Sequence, residues 1–279
     1  MKEFSLKDKT VIVTGAMGLI GTEVCEALSM AGANIILIDI LPQKEIRKAT
    51  EDLIKKYNNI VKGYSCSISN ENNIKAVFKD ICDHFKSIDV LINLAAIDAK
   101  FDKGIDSISK QKFENFPLAQ WNKSIEVNMT GTLIVTQAAV NKMIVQGYGN
   151  IINVASTYSI VSPNQNLYKF QGKKKALLKP IDYVATKSVI PNFTRYIATY
   201  YGKQNIRANT IVLHGIVDNP INGFKENFSK LSPMGRFCKL EEIRGPFIFL
   251  ASDSSSYMTG SSLVVDGGWT AWWLFIKGK

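Results

Sequence analysis

The sequence predicts an α/β protein in which a seven-stranded parallel sheet lies between two layers of helices. Three observations predict it. Apolar segments of strand length alternate with segments of helical periodicity along the 279 residues, most connections between them are short, and glycines follow the first strand at once. An apolar content of 46% is sufficient for one large core, so we expect residues 1–279 to form a single domain.

The predicted elements alternate in type, strand then helix. The predicted strands span residues 10–14, 34–38, 61–65, 89–93, 150–155, 207–212 and 262–265. The predicted helices span residues 18–31, 42–57, 70–85, 117–145, 183–201 and 241–251. Parallel strands joined by right-handed helical crossovers form a three-layer, doubly wound sheet that binds its ligand at the carboxyl edge of the strands.

A glycine-rich turn follows the first predicted strand. Residues 10–14 are a run of Val, Ile and Thr, which is typical of a buried parallel strand. Glycines let a backbone approach a pyrophosphate closely, and a helix N-terminus adds free N–H groups and the positive end of the helix dipole. The pattern predicts the dinucleotide site of a Rossmann fold, and the residues expected against the cofactor are Gly15, Met17, Gly18, Leu19, Ile20 and Gly21.

Asp39 ends the second predicted strand. A carboxylate at this point can accept hydrogen bonds from both ribose hydroxyls of NAD, and it would repel the additional phosphate of NADP. Neither residue 17 nor residue 40 is Arg or Lys, which that phosphate would need. The sequence therefore predicts NAD as the cofactor, and the alternative is that Asp39 is an ordinary turn residue.

A tyrosine and a lysine stand four positions apart at Tyr183 and Lys187, so on a helix they share one face. Of the ten tyrosines in the chain, only Tyr183 has a lysine four positions later. A free tyrosine has a pKa of about 10, and a nearby ammonium favours the phenolate. We therefore expect the pKa of Tyr183 to be lowered toward neutral pH, where the phenol could act as an acid or base. Taken alone, the pair is also compatible with a solvated helix face.

Taken together, these segments resemble the short-chain dehydrogenase/reductase family, in its single-domain type, from about residue 8 to residue 268. Residues 93–96 are similar to the family's Asn-Asn-Ala-Gly segment, and residues 233–236 and 259–268 are similar to its late signatures. The resemblance implies a catalytic set of Asn128, Ser156, Tyr183 and Lys187. It also implies cofactor contacts at Ser67, Ile68, Asn93, Ala95, Gly215 and Val217, with Tyr183 and Lys187 shared between the two sets.

The resemblance implies an NAD-dependent oxidoreductase that transfers a hydride between a secondary alcohol or ketone and nicotinamide. In that chemistry Tyr183 exchanges a proton with the substrate oxygen, and Ser156 hydrogen-bonds the same oxygen. Lys187 lowers the tyrosine pKa and binds the nicotinamide ribose, while Asn128 orders a water that relays protons. Family members commonly pair through the helices that hold Asn128 and Tyr183, so the resemblance also implies a homodimer or homotetramer.

Departures from the family pattern leave alternatives open. The middle glycine is Gly18, whereas most single-domain members have it one residue later, at the position of Leu19. The observed spacing is more typical of a branch that epimerises or dehydrates nucleotide sugars, although we expect too little chain after Gly268 for that branch. His214 replaces the family's usual proline, and Ser67 replaces a common aspartate. A non-catalytic NAD-binding protein is a further alternative, which the presence of all the catalytic groups disfavours.

Three long connections, near residues 97–116, 157–181 and 217–239, are expected to form a partly aromatic but mostly polar roof over the active site. A polar roof disfavours a 3-oxoacyl or steroid substrate. The second connection carries Lys169, Lys173, Lys174, Lys175 and Lys179, which predict an anionic substrate such as a sugar nucleotide. A solvated basic loop is the alternative.

The substrate expected first is a sugar or sugar nucleotide. The long connection between Ser156 and Tyr183, together with residues 257–269, is similar to PtmA-like bacterial oxidoreductases of flagellin and surface-glycan modification. That similarity implies a role in the synthesis of surface glycans. It also agrees with the small-molecule, anionic substrate that the lysines predict.

Composition disfavours several other classes of protein. The net charge of +10 is accompanied by no nucleic-acid-binding motif, so no nucleic-acid partner is expected. No apolar run reaches about 18 residues, so no membrane span is expected. The four scattered cysteines and the polar first residues predict reduced thiols in a cytoplasmic protein. With only two histidines, no metal site is expected. An apolar tail should cover an interface or the substrate pocket, and its residues are Trp269, Trp272, Trp273, Leu274 and Phe275.

Overall fold

The computed structural model describes residues 2–98, 112–168, 178–217, 220 and 222–272, and its strands form one seven-stranded parallel sheet. The strands are β1 (Thr10–Thr14), β2 (Asn34–Asp39), β3 (Val61–Ser65), β4 (Val90–Asn93), β5 (Gly149–Ser156), β6 (Ile206–Leu213) and β7 (Ser262–Val265). Their order across the sheet is β3-β2-β1-β4-β5-β6-β7. The direction of the chain across the sheet reverses between β1 and β4, where such folds bind ligands. The predicted doubly wound α/β fold is confirmed.

Eight α-helices lie along the described chain. They are α1 (Leu19–Met30), α2 (Gln43–Tyr57), α3 (Glu71–His84), α4 (Leu118–Ile125), α5 (Thr132–Gln146), α6 (Ile181–Tyr201), α7 (Asn222–Leu231) and α8 (Arg244–Ala251). Among these helices, none is long and apolar enough to cross a membrane.

The central strands are buried on both faces, because alternate residues belong to two separate cores. Val11 and Val13 of β1 lie in the core formed with α1 and α8, which includes Val24 and Phe247. Ile12, between them, lies in the opposite core with residues of α3, α5 and α6. A strand covered on both faces has no polar side, which explains why β1, β2 and β4 appear in the sequence as continuous apolar runs.

Two predicted elements were wrong in their extent. Residues 117–145 were expected to form one helix, but a π-helical turn at Glu126–Gly131 separates α4 from α5. The connection at 217–239 was expected to be a loop, but it contains α7. The apolar positions Phe224, Phe228 and Leu231 follow helical spacing and indicate this helix.

A row of buried polar side chains ties the middle of the sheet to helices α5 and α6. Asn93 Nδ2 lies 2.9 Å from Thr136 Oγ1 and 2.8 Å from Asn153 Oδ1. Asn153 Nδ2 donates to Thr194 Oγ1 at 2.9 Å, and Thr194 Oγ1 also accepts from Thr210 Oγ1 at 2.8 Å. Asn153, Thr194 and Thr210 have no exposed surface. If one of these hydrogen bonds were lost, water could not take its place.

The variant Asn153→Leu should lower the free energy of unfolding by about 2–4 kcal/mol, because it removes two buried hydrogen bonds, one with the Asn93 amide and one with the Thr194 hydroxyl. Urea denaturation measures this change. Asn72→Leu, the same substitution on the exposed face of α3, is the matched control and should change stability little. Equal losses in the two variants would contradict a structural role for the buried row.

Candidate active site

The glycine-rich turn packs so closely that two of its glycines have no room for a side chain. Gly15 has a φ of +66°, and a Cβ on it would lie 2.7 Å from the Ala95 Cα at the end of β4. A Cβ on Gly21 would lie 2.1 Å from the Gly15 carbonyl oxygen. Gly18 is less restricted, since its nearest contact would be at 3.4 Å. The turn therefore closes on itself between β1 and α1.

The N-terminus of α1 suits the pyrophosphate of a dinucleotide. Gly18 is the N-cap residue and provides no side-chain hydrogen bond to the helix. The first N–H groups of an α-helix have no intrahelical acceptor, and here they belong to Leu19, Ile20 and Gly21. Unpaired donors at the positive end of a helix dipole attract phosphate oxygens, so these residues fit the predicted cofactor.

Asp39 lies beside this turn and is held by two backbone donors. Its Oδ2 accepts from the Met17 N–H at 2.9 Å, and its Oδ1 accepts from the Leu41 N–H at 3.1 Å. The carboxylate is thus fixed at the carboxyl end of β2 and facing the glycine-rich turn. Each carboxylate oxygen has a further lone pair with which to accept a ribose hydroxyl.

The other predicted cofactor residues differ in their surroundings. Ser67 Oγ lies 3.1 Å from Ser69 Oγ, and Val217 is exposed. Ile68 is 5% exposed and packs against Gly131, where a Cβ would lie 2.7 Å from its side chain. Gly215 has a φ of +66°. The side chain of Asn93 belongs to the buried polar row, whereas the Ala95 N–H bonds to Thr14 Oγ1 at 3.2 Å.

Three of the predicted catalytic residues converge at the carboxyl end of β5. Ser156 is the last residue of the strand, and its hydroxyl is near enough to Tyr183 of α6 to act on the pKa of the phenol. Lys187 is 6% exposed, and its Nζ donates to the Val154 carbonyl oxygen at 2.8 Å. The same Nζ lies 5.9 Å from the centre of the Tyr183 ring. The four-residue spacing therefore does place Tyr183 and Lys187 on one helix face, directed at the strand end.

Asn128 lies in the π-helical turn and is 3% exposed. Its Oδ1 accepts from the Ile97 N–H at 2.8 Å, and its Nδ2 donates to the Ile97 carbonyl oxygen at 3.0 Å and to Thr186 Oγ1 at 3.1 Å. Both amide hydrogens are used, so Asn128 can hold a further water only as an acceptor. It joins the chain after β4 to α6 beneath Tyr183.

We expected the pKa of Tyr183 to be lowered, and for the protein without ligands this prediction was wrong. Burial raises the pKa of Tyr183, the Asp98 carboxylate raises it further, and the Ser156 hydroxyl acts in the opposite direction. Burial also lowers the pKa of Lys187 to about 8, with Asp98 opposing and Lys179 reinforcing that change. Low solvation disfavours both charged forms, and a four-residue spacing contains no information about solvation.

A second lysine lies against Tyr183. Lys179 Nζ is 4.0 Å from the centre of the Tyr183 ring and 6.0 Å from that of Tyr158. It donates to both carboxylate oxygens of Asp98, at 2.6 and 2.5 Å. The sequence identified Lys179 only as one of several lysines, and it did not indicate Asp98. The one sequence pattern that indicates Lys179 is its position four residues before Tyr183. Lys169, Lys173, Lys174 and Lys175 lie outside the described residues.

The described part of the roof is more apolar than predicted. Phe228 lies 4.0 Å from Phe237 and 5.1 Å from Trp269, measured between ring centres, and Tyr168 lies 5.5 Å from Phe224. These rings pack on one another and join the connections after β5 and β6 to the end of the described chain. Composition suggested a polar roof because it counts every lysine of these connections equally. A polar roof is therefore no longer an argument against apolar substrates.

His214 lies between this aromatic cluster and the catalytic residues. Its Nδ1 is 2.7 Å from Thr157 Oγ1, and its ring centre is 4.4 Å from that of Trp269. Burial lowers the pKa of His214 to about 4; Asp266 opposes this change and Lys179 adds to it. The histidine is therefore neutral at physiological pH and packs as an aromatic ring with one hydrogen bond.

Neither metal chemistry nor disulfide chemistry is indicated within the described chain. It contains no cluster of His, Cys, Asp and Glu suited to a metal ion. Cys25, Cys66, Cys82 and Cys238 are all free thiols.

Comparisons with known proteins agree with this geometry. A family model described as short chain dehydrogenase matches residues 9–227. An NAD-dependent glycerol dehydrogenase of Listeria innocua is 30% identical over 275 residues, with 96% of each chain covered. A 2-dehydro-3-deoxy-D-gluconate 5-dehydrogenase of Bacillus subtilis is 32% identical over 272 residues, covering 95% of this chain and 96% of the relative. A solved short chain dehydrogenase of Leptospira borgpetersenii with bound NAD+ is 28% identical, with a TM-score of 0.80 and coverages of 97% and 96%.

Acid should destabilise the fold through His214. An unfolded histidine takes up its proton near a pH of about 6.5, whereas folded His214 does so only near pH 4. Between these values the unfolded state binds more protons, so stability falls as the pH falls. The wild type should lose up to about 3 kcal/mol more than His214→Gln between pH 7 and pH 4, measured by urea denaturation.

The matched control is His84→Gln, which removes the other histidine of the chain, an exposed one. This variant should keep the pH dependence of the wild type. If His214→Gln kept it as well, the buried neutral state of His214 would be contradicted.

Proposed function

The chain belongs to the short-chain dehydrogenase family, and from that premise we propose that it is an NAD-dependent oxidoreductase acting on a secondary alcohol or ketone. The observation that carries the proposal is the convergence of Ser156, Tyr183 and Lys187 at the carboxyl end of β5. These groups can bind one substrate oxygen and move a proton to or from it. NAD, when bound across the glycine-rich turn and Asp39, supplies the hydride acceptor.

Each catalytic residue has a distinct task in the oxidation of an alcohol. Tyr183 accepts the proton of the substrate hydroxyl, and Ser156 donates a hydrogen bond to the same oxygen as its charge changes. The ammonium of Lys187, held by the Val154 carbonyl, favours the phenolate form of Tyr183 against the effect of burial. In the reverse direction the neutral phenol donates its proton to a ketone oxygen.

NAD is proposed as the cofactor because of Asp39. Its carboxylate is fixed by Met17 and Leu41 at the point where the adenosine ribose of such cofactors lies. A negative charge there favours ribose hydroxyls over a phosphate. The names of the Listeria relative and of the Leptospira structure, which include NAD, support this choice.

The proposed substrate is a polyhydroxylated small molecule of the sugar or polyol type. Two relatives are named for glycerol and for 2-dehydro-3-deoxy-D-gluconate, both of which carry several oxygens. A sugar nucleotide and a role in surface-glycan synthesis of the PtmA-like kind remain predictions. So do a single domain over residues 1–279, a homodimer or homotetramer, and a cytoplasmic location.

A redox-neutral epimerase or dehydratase of nucleotide sugars is the second candidate. The position of Gly18, one residue earlier than in most single-domain members, favours it. Such an enzyme returns its NAD to the starting redox state, so it would not accumulate NADH. A non-catalytic NAD-binding protein is the third candidate, and it would bind NAD without turnover.

Tyr183→Phe should abolish NADH formation, lowering kcat by about a thousandfold or more, because the phenolic oxygen is the group that takes the substrate proton. Absorbance of NADH is followed with NAD and a panel of polyols, sugars, sugar acids and nucleotide sugars. The control is Tyr201→Phe, a change at the far end of α6, which should keep the activity. NADH formation that survives in Tyr183→Phe would contradict the mechanism, and a panel without NADH would favour the redox-neutral or non-catalytic candidates.

Asp39→Ser should shift the preference from NAD toward NADP, with the ratio of the two kcat/KM values changing by about tenfold or more. The substitution removes the charge that repels the additional phosphate and keeps a hydroxyl for the ribose. Initial rates with each cofactor measure the ratio. An unchanged ratio would show that Asp39 does not select the cofactor.

A further inference from the structure

Lys179 is a cation built into the active site by contacts at both of its ends. At the side-chain end, Nζ lies over the Tyr183 ring at 4.0 Å and is paired with Asp98. At the backbone end, the Gln165 amide accepts from the Lys179 N–H and donates to the Lys179 carbonyl oxygen, both at 3.0 Å. The Lys179 side chain is only 8% exposed. Because both ends of the residue are held, the ammonium has one defined position, unlike that of a solvated surface lysine.

Among the described residues, one hydrogen-bonding position of Lys179 is left for a ligand. An ammonium has three N–H donors, and the described residues supply acceptors for two of them, the carboxylate oxygens of Asp98. Asp98 itself is 46% exposed, so its carboxylate can move into water without leaving a buried charge behind. A cleft of about 480 Å³ opens beside Lys179 and Val184, next to Tyr183 in the chain, and its wall carries one further cation, Lys112, and one further carboxylate, Glu114. The cleft is large enough for a small polyhydroxylated molecule.

The charges around Tyr183 favour an anion. Two ammonium groups, those of Lys179 and Lys187, flank the ring, and Asp98 supplies one facing carboxylate. The carboxylate of Asp182, on the same helix, is directed to Ser124 instead, whose hydroxyl lies 2.5 Å away. The pKa of Lys187 is lowered partly by Lys179, which is the expected effect of two nearby cations. An anionic ligand group would offset this repulsion.

We propose that Lys179 binds a carboxylate of the substrate, and that among polyhydroxylated molecules the enzyme therefore prefers hydroxy acids and oxo acids to neutral polyols. The proposal rests on the proposed dehydrogenase function. Because Lys179 Nζ lies against the ring whose hydroxyl takes the substrate proton, the carboxylate and the reacting carbon are separated by only a few bonds. Asp98 occupies two of the three donors, so the substrate carboxylate takes the third and competes with Asp98 for the others.

The alternative is that Asp98 and Lys179 form only a latch between the connections after β4 and before α6. The two ideas differ in what they predict for Asp98. If the pair is a latch, removing either partner harms the enzyme for every substrate. If Asp98 competes with the substrate, removing its charge lowers KM for acids and leaves KM for neutral substrates unchanged.

The experiment compares matched acids and neutral polyols, gluconate with glucitol and glycerate with glycerol, using NAD and the variants Lys179→Met, Lys179→Arg and Asp98→Asn. The wild type should give a kcat/KM at least about tenfold higher for the acid of each pair. Lys179→Met should lower that value about tenfold or more, mainly through KM, and should change the neutral substrate less than about threefold. Lys179→Arg should restore most of the loss, and Asp98→Asn should lower KM for the acid.

Two results would overturn the proposal. One is a wild type that oxidises the neutral partner as well as the acid. The other is a Lys179→Met variant that loses acid and neutral activity equally. In both cases NADH formation that depends on Tyr183 would leave the dehydrogenase function intact. If no substrate gives NADH, calorimetry of gluconate binding to the protein with NADH still decides the matter, because binding that Lys179→Met weakens supports the site and no binding contradicts it.

Discussion

The candidate active site depends on helix α6 lying in one position against the carboxyl end of β5. Two buried contacts fix it: Asn153 donates to Thr194 at 2.9 Å, and Lys187 donates to the Val154 carbonyl oxygen at 2.8 Å. Because Ser156 ends the same strand, the register of helix on strand sets the separation of Ser156 from Tyr183. Apolar packing alone tolerates small shifts, whereas buried hydrogen bonds permit a single arrangement.

The same burial that positions these groups also sets their protonation. Tyr183 and Lys187 are both driven toward their neutral forms, since water is scarce around them. A neutral phenol is the form that carries the proton, as ketone reduction requires. Oxidation of an alcohol requires the phenolic proton to leave first. In the proposed mechanism the Lys187 ammonium assists that loss, while the Asp98 carboxylate acts against it.

The sequence predicted the sheet well because β-branched runs and short connections are local signals. It also predicted the faces shared by Tyr183 and Lys187, which depend only on helical spacing. It did not predict the pair of Asp98 and Lys179, which stand 81 positions apart and meet only in the fold. Nor did it predict the raised pKa of Tyr183, because burial depends on neighbours that are distant in the chain. The π-helical turn around Asn128 has no distinguishing residue pattern.

We propose that this site transfers a hydride between the substrate carbon and nicotinamide, and isotope transfer tests that step. The best substrate of the panel, deuterated at its carbinol carbon, is incubated with NAD, and both products are examined by nuclear magnetic resonance. Direct transfer places deuterium at C4 of the nicotinamide in NADH that accumulates with the ketone. Deuterium that returns to the substrate skeleton without net NADH, or that never leaves it, would rule out a dehydrogenase.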